Sequence, residues 1–201
     1  MKVMLFDTET TGLPRWDRPS EHPDQPHLVQ FTGVICDGAP ERELAFEHFL
    51  VKPDGWSIPP ELTALHHITN QQAHDEGISV VDAIDRYVAM VGKADLVAAF
   101  GISFDTRIMR IQMLRNGYNK QVCDDLRRDM KTHCVMTQAT PLCRLPPTDR
   151  MLATGRKTWK TPTLTEAVKA IFGETLEGAH DSRIDVLATA RLYYAINKTL
   201  L

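Results

Sequence analysis

The chain has 201 residues, 43% of them hydrophobic, which is enough to bury a full core, and its length suits one domain over residues 1–201. Its formal net charge is -3, from 23 Lys plus Arg against 26 Asp plus Glu, which argues against nucleic-acid binding by bulk charge but leaves room for a local basic groove. No stretch approaches the ~18–20 apolar residues that span a bilayer, and the N-terminal apolar run is too short for a signal peptide. The expectation is therefore a cytoplasmic protein with no membrane contact, in which Cys36, Cys123, Cys134 and Cys143, lacking any C-x-x-C pair, are free thiols.

Val3 to Phe6 is an apolar run without alternation, the pattern of a central strand covered on both faces. Residues two apart in a strand share a face, so Val3, Leu5, Asp7 and Glu9 lie on one side, and that face turns acidic at its carboxyl end. Open α/β sheets place ligands at that edge. Taken alone, "DTE" also fits a turn cap at Asp7 and a solvated Glu9. The proline-rich "PRWDRPSEHPDQPH" that follows reads as a surface loop. "LVQFTGVIC" and "LAFEHFLV" then read as strands separated by the turn residues Asp37, Gly38 and Pro40, which makes an antiparallel meander.

From Ser79, Val80, Ile84, Tyr87, Val88 and Val91 repeat at helical spacing behind a candidate N-cap. "DLVAAF" reads as another buried strand, "GIS" as a turn, and "FDTRIMRIQMLRNG" as a helix ending near Gly117, so a parallel crossover is expected. Asp105 falls in that helix's first turn, on the face of Ile108, Met109 and Gln112; the helix dipole alone would also favour an acid there. Arg107, Arg110, Arg115, Lys120, Arg127, Arg128 and Lys131 cluster in sequence, either as solvated faces or as a basic groove. "MTQATPLCRLPPTDR" shows no clear period. Thr163 and Glu166 make a capping box for "TLTEAVKAIFG", and a last helix starts near Ser182. Asp185 sits in its first turn, His180 lies five residues earlier, and Ser182-x-x-Asp185 could itself be a capping pair.

Together, "FDTETTGL", "FDTRI" and "HDSRID" resemble the three motifs of the DEDD-type 3′-to-5′ exonucleases, in the DnaQ-like subgroup whose last motif is a His followed five residues later by an Asp. "IPPELTALHHIT" and "KTWKTPTLTEAVKAIFG" resemble the intervening segments, so the likeness spans nearly the whole chain. It implies an RNase H-like αβα fold with a mixed five-stranded sheet. It also implies two Mg²⁺ or Mn²⁺ ions, about 3.5 to 4 Å apart in such sites, cancelling the charges of Asp7, Glu9, Asp105 and Asp185.

By this likeness Asp7 bridges the ions, Glu9 and Asp185 hold the one that carries the attacking water, Asp105 supports the other, and His180 is the general base. Backbone groups around Thr8 and Thr10, the Leu13 side chain and His66 would meet the terminal nucleotide. Trp16, Trp56 and Trp159 are candidate stacking platforms for single-stranded bases or else core aromatics, with Trp16, in its proline-rich loop, the favoured one.

The implied reaction releases nucleoside 5′-monophosphates from the 3′ end of single-stranded DNA. The alternatives are an RNA exonuclease of the RNase T or oligoribonuclease kind and a non-cutting binding module, and a DNA polymerase is a candidate partner. Two departures stand out: Phe100-Gly101 replaces the His-Asn of many relatives, and His67 replaces a glycine.

Overall fold

The structure, a computed structural model, describes residues 1–198. Its centre is a five-stranded sheet in the order β3-β2-β1-β4-β5. The strands are β1 (Lys2–Thr10), β2 (Leu28–Asp37), β3 (Glu43–Leu50), β4 (Leu96–Ala99) and β5 (Thr132–Cys134). β1, β2 and β3 form the expected antiparallel meander, and β4 pairs parallel to β1 and to β5. The sheet is therefore mixed.

Alternation along β1 builds two cores. Met4 and Phe6 face one core, with Phe31, Tyr87, Ile108 and Met109. Val3 and Leu5 face the other, with Val34, Val168, Val186 and Leu192. The first is covered by α3 (Val80–Val91) and α4 (Ile102–Arg115), the second by α6 (Val135–Cys143), α8 (Leu164–Phe172) and α9 (Ser182–Lys198). This is the αβα layering that the resemblance implied. The short helices α1 (Pro60–His66) and α2 (Asn70–Glu76) follow the meander, α5 (Lys120–Asp129) precedes β5, and α7 (Asp149–Ala153) follows α6.

Local chemistry sets the element ends. Ser79 Oγ accepts from the Asp82 N–H at the start of α3, and Thr163 with Glu166 forms the expected reciprocal capping box on α8. Segment 14–27 has no regular structure yet is firmly held. The buried Gln25 amide donates to the carbonyls of Arg15 (3.0 Å) and Pro19 (3.0 Å) and accepts from the Arg15 N–H (3.0 Å). From α4, Arg107 donates to the carbonyls of Arg15 (2.9 Å) and Arg18 (2.6 Å), and Arg115 to those of Gln25 (2.5 Å) and Pro26 (3.1 Å). Among the described residues, no helix is long and apolar enough to cross a membrane.

Candidate active site

β1 runs on past its parallel neighbour. Its pairing with β4 ends at Leu5–Ala98, so Phe6 to Thr10 have a strand partner only on the β2 side. That overhang carries Asp7 and Glu9 on the face of Val3 and Leu5, both half-buried. Asp7 is thus a strand residue and not a turn cap.

Thr8 and Thr10 point to the other face and are buried. Thr8 Oγ1 donates to Asp105 Oδ1 at 2.8 Å, which fixes the buried Asp105 carboxylate on α4 beside the overhang. Thr10 Oγ1 donates to the Gly12 carbonyl at 2.7 Å and shapes the turn leaving β1. The two hydroxyls are thus engaged within the protein, which leaves only their backbone to face a ligand.

Asp185 comes from the first turn of α9. One ligand atom each from Glu9, His180 and Asp185 lie within 4.8 Å of one another. The His180 N–H donates to Asp185 Oδ2 at 3.2 Å from a left-handed backbone at φ 73°, while Asp185 Oδ1 is buried with no hydrogen-bond partner. Ser182 does not cap Asp185. Its hydroxyl, fully buried, donates to Gln30 Oε1 at 2.6 Å and lies 2.5 Å from Thr32 Oγ1, which in turn lies 2.7 Å from His48 Nδ1. Because Ser182 spends its proton on Gln30, Thr32 donates to Ser182 and the His48 Nδ1–H donates to Thr32. This relay pins the start of α9 to β2 and β3.

Replacing Ser182 by Ala strands two buried polar partners, so we expect urea unfolding to show a loss of about 1–3 kcal/mol. An unchanged midpoint would remove the relay as an anchor.

The electrostatics are one-sided. Burial pushes the Asp7 carboxyl well above the usual carboxylate range, and Asp105, Glu9 and Asp185 push it further. Burial together with Asp185, Asp105 and Asp181 lifts Glu9 to about 8, and burial lifts Asp105 to about 7 against the opposing Thr8 hydrogen bond. Asp185 is raised by burial as well. Among the described residues, no Lys or Arg forms an ion pair with any of these acids. Crowded carboxylates with an orphaned oxygen and no protein cation are a donor set for hard divalent ions, and the residues present fit that role.

His66, the last residue of α1, is buried. Its Nδ1 accepts from the Ile68 N–H at 3.2 Å, so Nε2 carries the proton, and that donor is buried without a partner. Burial holds its imidazole below the ordinary value, and the charges of His67 and His180 lower it further. Leu13, in the turn after β1, is 80% exposed. At the departure from the usual pattern, Phe100 packs into the second core and Gly101 starts α4 with no side-chain cap. Neither supplies a polar group.

A family model described as exonuclease, of the RNase T group, matches residues 4–193. No curated protein sequence matches the chain at a significant level. Among solved structures, E. coli exonuclease I in complex with a dT13 oligonucleotide is 21% identical with a TM-score of 0.74, over 98% of this chain and 41% of that one. A moderately thermophilic exonuclease I from Methylocaldum szegediense is 21% identical at TM-score 0.71, over 98% and 40% of the two chains. A complex of ExoI with SSB-Ct is 20% identical at TM-score 0.72, over 98% and 41%. The chain thus spans about 41% of the length of these structures, and at such identity the likeness carries the fold, which is RNase H-like as expected. With the motif order, the mixed sheet and a family match over nearly its whole length, the chain belongs to the DEDD-type exonuclease family.

Proposed function

We propose that residues 1–201 form one exonuclease unit that removes nucleotides from the 3′ end of single-stranded DNA and releases nucleoside 5′-monophosphates. The observation that carries this reading is the convergence of Asp7, Glu9, Asp105 and Asp185 on the free edge of β1 without a protein cation. Those carboxylates would hold two divalent ions, Mg²⁺ or Mn²⁺. Bound there, the ions would supply charge neutralisation for the attacking and leaving oxygens of an in-line phosphoryl displacement.

The chain's own residues divide the remaining work. Asp7 and Glu9 are set by the strand period, and Asp105 by the Thr8 hydroxyl, so the acids are positioned before substrate arrives. His180 takes the proton of the attacking water, and its main-chain N–H orients Asp185 through the 3.2 Å bond. The unspent Nε2–H of His66 is a donor for the oxygens of the terminal nucleotide. The β1 overhang offers unpaired backbone around Thr8 and Thr10, and the exposed Leu13 wedges against the terminal base. Single-stranded DNA is favoured over RNA because an exonuclease I of this fold is seen with a dT13 oligonucleotide.

The test is a 5′-labelled single strand incubated with Mg²⁺, with Mn²⁺ or with EDTA, beside an RNA of the same sequence. The expected result is a ladder shortening from the 3′ end that needs metal and runs faster on DNA. A clear RNA preference would move the protein to the RNase T or oligoribonuclease kind. Intact strands in every lane would make it a binding module.

A further inference from the structure

The first turn of α4 looks two ways. Asp105 points to the sheet, while Ser103, Thr106, Arg107 and Arg110, at a spacing of three to four residues, form a stripe on the helix's outer side. The stripe spans about 10 Å at the helical rise of ~1.5 Å per residue. It lines a groove of about 460 Å³ that begins at the turn carrying Asp105 and is bounded by Trp16 on the 14–27 segment and by Arg127 near the end of α5.

The groove's charge is not balanced. Arg110 lies 2.7 Å from Asp124. Arg107 and Arg127, however, have no acidic partner among the described residues. Arg107 Nε is a buried donor without an acceptor. An excess of about two positive charges thus collects in a chain whose net charge is -3. Trp16 supplies the second element. The residue is 58% exposed, and the Arg107 guanidinium lies over its ring at 4.8 Å, so the guanidinium takes one side of the indole while much of the side chain stays in solvent. The bonds from Arg107 to the Arg15 and Arg18 carbonyls hold that ring in place, so little ordering cost remains when a planar group stacks on it.

We propose that this groove is a subsite for the single strand just upstream of its 3′ end, with Trp16 stacking a base and Arg127 contacting a phosphate. An exposed aromatic ring beside guanidiniums that carry no acidic partner, those of Arg107 and Arg127, matches the two parts of a nucleotide, flat base and charged backbone. An acidic peptide would use the charges and leave the ring idle. The assignment deepens the exonuclease reading and rests on it for the direction of the strand.

The experiment is fluorescence anisotropy of a 5′-fluorescein dT12 oligomer in EDTA, where nothing is cleaved, across a salt series. Trp16→Ala is expected to weaken binding about 10-fold. Arg127→Ala should weaken it about 3- to 10-fold and make the logarithmic salt slope shallower by about 0.7. The control is Arg128→Ala. It removes the same charge from the next residue, whose guanidinium is already engaged at 2.8 Å from Asp125 and 3.1 Å from Asp129, and it should bind as wild type does. Trp16, Arg127 and Arg128 are all exposed, so the variants should fold. Wild-type affinity in the first two variants, or equal losses in Arg127→Ala and Arg128→Ala, would overturn the subsite. Displacement of dT12 by a nona-glutamate peptide as effectively as by unlabelled dT12 would also overturn it, in favour of a protein partner. Hydrolysis of the p-nitrophenyl ester of thymidine 5′-monophosphate, which has no upstream strand, separates the two readings. No hydrolysis by wild type in Mn²⁺, alongside the expected binding losses, would sink the exonuclease assignment and keep the groove; hydrolysis without those losses would do the reverse.

Discussion

Asp7→Asn is expected to lose more than about 10³-fold of its exonuclease rate and yet to melt higher than the wild-type protein when both are free of metal. The rate loss follows from Asp7's central place in the cluster, where Asp105, Glu9 and Asp185 all act on it. The gain in stability follows from the same fact. A half-buried carboxylate facing three others with no protein cation is held at an energetic cost, and an amide of the same shape removes one charge from that cluster. About 1–3 kcal/mol is the scale of one such relief, or roughly 2–12 °C in melting temperature for a chain of this size. Opposite movement of rate and stability separates a functional acid from a structural one. If Asp7→Asn lost both, Asp7 would be a folding residue. If the rate survived, the acids would not be the reaction centre.

The second large effect is a fall in metal-free stability as pH rises. Glu9 at about 8 and Asp105 at about 7, with Asp7 and Asp185 also raised, keep protons in the folded chain that the unfolded chain has given up above its carboxylate range of about 4. Where the native state binds more protons than the unfolded state, unfolding free energy decreases with pH. Burial works in the opposite sense on His27, lowered to about 4, and on His48 and His66, also lowered. Those imidazoles stay neutral in the fold while the unfolded chain releases protons up to about pH 6.5. The acid effect therefore stands alone between about pH 6.5 and 8, where we expect a loss of about 1–3 kcal/mol in EDTA. Adding Mg²⁺ or Mn²⁺ should restore the melting temperature by an amount that grows with pH, since ligation replaces the protons. A melting temperature flat across that window, and indifferent to metal, would mean that the acids are not crowded in solution.

Much of this arrangement is legible in the chain. The apolar run Val3–Phe6 fixes β1 and its period, and the period alone puts Asp7 and Glu9 on one face. The helical spacing around Asp105 likewise predicts that it shares a buried face with Ile108, Met109 and Gln112, and all of these are buried. The region around β5 is harder to read, for physical reasons. β5 is three residues long, and α5 before it is KQVCDDLRRD, in which only Cys123 is buried. Such a helix forms through its packing and gives little apolar period. Helix α6 contains Pro141, a residue that normally argues against a helix interior.

At the candidate site, the Ser182–Gln30–Thr32–His48 relay is hidden because its partners are as much as 152 residues apart. The capping pattern of Ser182 with Asp185 suggests a local bond, and the hydroxyl goes instead to the sheet. For His66, the spare Nε2 proton depends on the fold of residues 66–68, which no spacing rule encodes.

The site draws its carboxylates from β1, α4 and α9, at residues 7, 9, 105 and 185. A ribosome makes the first three long before the fourth, and both the relay that seats α9 and the His180 backbone bond wait on the same late segment. The growing polypeptide therefore folds its meander and crossover around an incomplete set of acids. The four carboxylates come together only when α9 docks on β2 through the Ser182 hydroxyl, so the order of synthesis leaves the acidic cluster to be completed last among these elements.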